Sequence, residues 1–124
     1  MVILDTNIWY AHLSEEDFRH DKAEKIFESL ADDILIPEYI LSELCTLLAR
    51  NKKKEIADRF IDMAENNDRT ELLPSSPLFF KEVREAFKDI ESYRLSFVDV
   101  ALLLLSRTYT VMTFDQTLYK LLRK

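Results

Sequence analysis

Four acidic residues stand where solvent-facing charge is not expected. Asp5 closes the short apolar run Val2-Ile3-Leu4, and Asp115 follows another, Thr110-Val111-Met112-Thr113, after Phe114. Glu43 and Asp99 fall in the early turns of two apolar helical stretches. Brought into one pocket, such groups cannot all stay ionised alone. Two carboxylates about 4 Å apart, at an effective dielectric near 20, repel by roughly 4 kcal/mol. That corresponds to about three pKa units of proton uptake. A bound cation removes the penalty, and an all-oxygen ligand set suits a hard divalent ion, Mg²⁺ or Mn²⁺, rather than zinc. His12 and His20 share neither the strand-end nor the helix-start pattern of the acids, and read as surface or helix-face residues.

Each acid also has a plain structural role open to it. Asp5 and Asp115 suit N-caps. Asp99 follows Ser96 by three and can complete a variant of the capping box, where Glu or Gln is the usual partner. Glu43 shares the stripe Ile40, Leu44, Leu47, and a carboxylate on that face is costly unless paired, so a structural salt bridge is its alternative.

The elements must bring these residues together. Val2-Ile3-Leu4, Ile34-Leu35-Ile36, Thr70-Leu73 and Thr110-Thr113 read as short strands rich in aliphatic residues. Between them lie helical patterns. One is short and ends near Leu13. A second is capped by Ser14 and carries Ala23, Ile26, Phe27 and Leu30. Pro37 opens a third over Glu38 to Arg50. A fourth covers Lys52 to about Glu65, with Ile56, Phe60 and Met63 inward. A fifth starts at Pro77 with Phe80, Val83 and Phe87 inward. A sixth runs from Ser96 through Leu105, and a last one carries Leu118, Leu121 and Leu122. Strands that alternate with helices predict a parallel α/β sheet covered on both faces. In such sheets, strand-end carboxylates share the carboxyl edge, where ligands bind.

At 124 residues the chain is expected to form one domain, 1–124. The longest apolar run, Val98 to Leu105, is broken by Asp99 and is too short to span a bilayer. Asp5 interrupts the amino terminus before a signal-peptide core develops. The single cysteine, Cys45, has no partner for an internal disulfide and reads as a small core residue. A cytoplasmic protein without membrane contact is expected. The net charge of −6 argues against nucleic-acid binding through a broad basic face. It leaves room for a nuclease whose acids surround a metal. The chain has no glycine, which excludes the Gly-dependent phosphate loops of nucleotide-cofactor sites.

Four segments in order resemble the PIN-domain nucleases: Ile3-Leu4-Asp5-Thr6-Asn7, Ser42-Glu43, Leu95-Ser96-Phe97-Val98-Asp99-Val100-Ala101 and Thr113-Phe114-Asp115. The length and start resemble the VapC-type toxins of toxin–antitoxin pairs in particular. The resemblance implies a three-layer α/β/α fold with a parallel sheet of four or five strands. It implies a Mg²⁺- or Mn²⁺-dependent endoribonuclease with Asp5, Glu43, Asp99 and Asp115 as its catalytic and metal-binding acids. Thr6, Asn7, Ser96 and Thr113 match the polar positions that shape such a site. A homodimer and a protein antitoxin are implied as partners. Val100 stands where Ala often follows the third acid.

Basic residues must guide an RNA backbone past the acids, and Arg50 with Lys52-Lys53-Lys54 is the most concentrated group, a solvated helix start being the alternative. Trp9, Tyr10 and Phe18 suit a core, a dimer contact or a groove for an antitoxin segment. Two other functions stay open: a housekeeping PIN nuclease in RNA processing, and an inactive PIN-like module that only binds partners. Retention of all four acids argues against the second.

Overall fold

The computed structural model describes residues 1–91 and 93–124. Val2, Ile3 and Leu4 form β1 (Val2–Leu4), a strand buried along its whole length. The chain continues through α1 (Thr6–Leu13), α2 (His20–Ser29), β2 (Ile34–Pro37), α3 (Glu38–Arg50), α4 (Lys54–Asn66) and β3 (Thr70–Leu73). It ends with α5 (Pro77–Asp89), α6 (Phe97–Leu105), β4 (Thr110–Met112) and α7 (Gln116–Leu122). The four strands form one parallel sheet in the order β3-β2-β1-β4. Helices flank it, as the alternating pattern predicts, and four strands is the lower of the two expected counts.

The register fixes what the carboxyl edge displays. Val2, Ile3 and Leu4 lie opposite Thr110, Val111 and Met112. Asp5 and Thr113 therefore leave the sheet side by side, and the Asp5 N–H donates to the Met112 carbonyl at 2.9 Å. From β1 the chain moves outward to β2 and β3, then crosses back to add β4 on the other side. The strand order reverses between β1 and β4, the position where open α/β sheets leave a crevice.

The core surrounds β1. Ile8, Trp9, Ile40, Leu44, Leu48, Phe60, Leu102 and Leu118 are buried with it. Trp9 packs on Phe27 and Phe60 with ring centres 5.1 and 4.9 Å away. Cys45 is half-buried at the margin of this core. A smaller cluster of Val83, Leu95, Val100 and Ala101 holds α5 to α6. Among the described residues no helix is long and apolar enough to cross a membrane.

Several local expectations are corrected. Ser14 does not start a helix: its N–H closes α1 on the Tyr10 carbonyl at 2.9 Å, and α2 begins only at His20. Asp17 Oδ1 accepts from the Arg19 N–H at 2.8 Å, so the acidic stretch makes a turn. Lys52 takes a positive φ of 62°, which ends α3 in the place a glycine would usually fill and delays α4 to Lys54. On α3 the inward stripe is Ile40, Leu44 and Leu48, at i, i+4 and i+8; Leu47 is 37% exposed. On α5 the stripe Phe79, Val83, Ala86 and Ile90 faces inward. Phe80 and Phe87 are each 42% exposed instead, Phe80 meeting Phe97 edge-on and Phe87 tilted against it.

The shift on α3 makes a direct comparison possible. Leu48→Ala is expected to cost about 2–5 kcal/mol in urea unfolding, as for a fully buried leucine, and Leu47→Ala less than about 1 kcal/mol. Equal losses would place the two side chains in the same environment.

Candidate active site

The crevice at the β1/β4 switch is a cleft of about 570 Å³, lined by Asp5, Thr6, Asn7, Tyr39, Ser42, Glu43, Thr46, Leu47, Arg50, Val98, Asp99 and Asp115. All four candidate acids face it. Each arrives by a different route, and three of the routes are helix starts.

Asp5 follows β1 and caps α1, accepting from the Thr6 N–H through Oδ1 at 2.7 Å. Its other oxygen, Oδ2, accepts from the Thr113 hydroxyl at 2.6 Å and from Asn7 Nδ2 at 3.4 Å. Asp99 sits in the first turn of α6 and completes a capping box. Its Oδ2 accepts from the Ser96 N–H at 2.9 Å, while its own N–H donates to Ser96 Oγ at 3.0 Å. Asp115 caps α7, with Oδ1 accepting from the Leu118 N–H at 2.8 Å. Asp99 and Asp115 thus each commit one oxygen to a helix start and keep the other available. Glu43 is the exception. It lies in the second turn of α3, exposed to the cleft rather than buried in the core stripe. No ion pair holds it among the described residues, so the structural salt bridge is absent there.

Thr113 and Asn7 tie these acids together without lining the cleft equally. The Thr113 hydroxyl donates to Asp5 and accepts from Asn7 Nδ2 at 3.2 Å and from the Asp115 N–H at 3.0 Å. One hydroxyl therefore sets both the β1 acid and the α7 acid. Asn7 Oδ1 accepts from the Phe114 N–H at 3.1 Å, which pins the β4 exit to α1.

The electrostatics bear the mark of crowding. Burial pushes the Asp5 carboxyl up to about 6, against the lowering effect of its bonds from Thr113 and Thr6, and the charges of Asp99 and Glu43 push the same way. Asp99 is also raised, first by burial and further by Asp115. Asp5 and Asp99 therefore each feel other acids of the cleft. The Thr6 hydroxyl, buried in the cleft wall, has no hydrogen-bond partner among the described residues. An all-oxygen donor set, two carboxyls raised chiefly by burial and an orphaned hydroxyl fit a hard divalent cation. Among the described residues no three acidic, histidine or cysteine side chains stand close enough to form a finished ligand cage.

Other sequence candidates lie elsewhere. Of the basic group only Arg50 lines the cleft. Lys53 is paired with Glu16 and Lys54 with Asp58, and Lys52 is exposed at the helix break. His12 pairs with Glu24 and stacks on Phe27 at 3.9 Å between ring centres. His20 Nδ1 lies 2.7 Å from the Ala11 carbonyl oxygen. Tyr39, Thr46 and Leu47 also line the cleft, although sequence reasoning assigns them no part in it. Their signal is the spacing Tyr39, Glu43, Thr46/Leu47, Arg50 along one side of α3.

Fold and site together define a parallel α/β protein with an acid-lined cleft at the switch point of its sheet. The chain belongs to the PIN domain family, whose model matches residues 2–123. Among solved structures it is similar to VapC20 of Mycobacterium tuberculosis, described as a Sarcin-Ricin loop cleaving toxin. That match has a TM-score of 0.86 and 18% identity, covering 97% of this chain and 94% of that one. It is also similar to FitAcB from Neisseria gonorrhoeae, with a TM-score of 0.66, 17% identity and coverage of 99% and 94%. No curated protein matches the sequence.

The raised Asp5 carboxyl has a consequence for metal-free stability. With a folded value of about 6 against 3.8 unfolded, the native state binds the proton more tightly. Ionised Asp5 therefore costs folding about 3 kcal/mol above pH 6, and the cost vanishes below about pH 4. In EDTA, Asp5→Asn is expected to gain roughly that much stability relative to wild type between pH 4 and pH 8, whatever the fixed cost of replacing the cap. A difference that stays flat with pH in chemical denaturation would contradict the raised Asp5 carboxyl.

Proposed function

We propose that this chain is a divalent-metal-dependent endoribonuclease, the toxin of a VapBC-type toxin–antitoxin pair. The observation that carries the reading is the gathering of Asp5, Glu43, Asp99 and Asp115 on one cleft at the sheet's switch point. Asp5, Glu43 and Asp99 would hold Mg²⁺ or Mn²⁺ directly, and Asp115 would complete the shell or serve a second ion. The ion would supply a water of lowered pKa and neutralise charge on the phosphoryl oxygens. The chain's own residues do the positioning. Thr113 and the Thr6 N–H hold Asp5 in one orientation, and Ser96 does the same for Asp99. Arg50 stands on the cleft wall as a phosphate contact. In-line attack on an RNA phosphodiester would leave a 5′-phosphate and a 3′-hydroxyl.

An antitoxin segment is the proposed protein partner. Two neighbouring grooves, both lined by Trp9, His12 and Met63, offer it an apolar bed. The Trp9 Nε1–H in this region is buried and finds no acceptor among the described residues. A homodimer and a cytoplasmic location complete the reading. The exposed Phe80 and Phe87 on α5 give a dimer apolar surface to cover.

Incubation with total RNA and Mn²⁺ tests the activity. Wild type is expected to cut, with ends that map to 5′-phosphates, and Asp99→Asn to leave the RNA intact. Thr113→Val, which unties Asp5 and Asp115 without removing an acid, is expected to cut about 10–100-fold more slowly. Intact RNA with wild type, or cutting by Asp99→Asn at the wild-type rate, would defeat the reading.

A further inference from the structure

Beside the acidic cleft, the α1–α2 turn meets the exit of β4. Phe18 on that turn is 88% exposed. The Arg19 guanidinium carbon lies 4.9 Å from the centre of the Phe18 ring and 5.0 Å from that of Phe114. Lys22 Nζ lies 5.2 Å from the Phe114 ring. Phe114 stands between Thr113 and Asp115, and its N–H is held by Asn7, so the cluster adjoins a segment that supplies the cleft with Asp115.

Lys53, Lys54, Arg69 and Arg107 each face a carboxylate. No ion pair neutralises Arg19 or Lys22 among the described residues, and Arg19 Nε is buried without an acceptor. A guanidinium packed against aromatic rings can still donate from its terminal nitrogens to a planar or tetrahedral oxyanion. The acids nearby are partly engaged: Glu16 with Lys53, and Asp17 with the Arg19 N–H. Glu15 and Asp21 are exposed, where salt screens charge beyond about 8 Å.

A strongly acidic protein needs an attraction for RNA that does not depend on net charge. Base stacking on an aromatic ring provides it, and cations beside the ring track the backbone. We propose that Phe18, Arg19, Lys22 and Phe114 form a platform for single-stranded RNA flanking the cleft. A base stacks on Phe18, and the adjoining phosphate is held by Arg19 and Lys22. The proposal rests on the nuclease reading for its ligand and names where that ligand lies outside the acids.

Fluorescence anisotropy of a labelled oligouridylate in Mg²⁺ buffer, on the full chain carrying Asp99→Asn, tests it by binding alone. Adding Phe18→Ala is expected to weaken binding about five- to hundredfold. Phe18→Trp keeps the affinity and Phe18→Leu does not. Arg19→Gln lowers the dependence of log K on log salt by about 0.7 for each phosphate that is no longer neutralised. Equal affinity for Phe18→Ala and its parent, a leucine as good as the phenylalanine, or a parent that binds no RNA would each overturn the platform. An unchanged RNA affinity with loss of a protein partner would do the same, and hand the surface to that partner. Failure of the nuclease reading shows separately, as wild type leaving RNA uncut in Mn²⁺.

Discussion

Burial of a carboxyl at the end of β1 is the constraint on which the site depends. Asp5 is 5% exposed and sits at the carboxyl end of the strand around which the core is built. Burial alone would favour its protonated form, and two neighbouring acids add to that pressure. The fold tolerates the group because Thr113, Asn7 and the Thr6 N–H all donate to it. Those donors stabilise the charged form without cancelling the raised pKa. What remains is a carboxyl raised by burial, placed where the sheet order reverses.

Capping and site-building turn out to be one task. Asp5, Asp99 and Asp115 each accept backbone N–H groups at the start of a helix. The positive end of a helix favours an anion, so each cap eases part of the repulsion that the cleft creates. It also removes rotational freedom from the acid. The innocent role and the chemical role therefore do not compete for these residues. Glu43 has no such restraint, and its exposed side chain leaves it the freest of the four to adjust to a ligand.

Much of this was legible in the sequence because it depends on local pattern. The aliphatic strand runs, Pro37 and Pro77 at helix starts, and Ser96 three before Asp99 all act through near neighbours. The four acids followed from strand-end and helix-start positions, and the resemblance to PIN domains agrees with the family to which the chain belongs. What escaped depends on tertiary choice. Both Leu47 and Leu48 fit a helical stripe with Ile40 and Leu44, and only packing selects Leu48. Ser14 has the composition of a cap, yet Asp17 folds the following residues into a turn. Thr113, matched to the family on polarity, gains its meaning from a partner 108 residues away. The Arg19–Phe114 contact is likewise invisible along the chain.

On the proposed function, Asp5, Glu43 and Asp99 hold a dication directly, and Asp115 completes its shell or serves a second ion. Titration of Mn²⁺ into wild type and into Asp5→Asn, Glu43→Gln, Asp99→Asn and Asp115→Asn, followed by the electron paramagnetic resonance of free Mn²⁺, measures this directly. The account predicts binding by wild type and weaker binding in every variant, the loss being smallest for Asp115→Asn. Mn²⁺ bound with the same affinity after removal of Asp5, Glu43 or Asp99, or not bound by wild type at all, would contradict it.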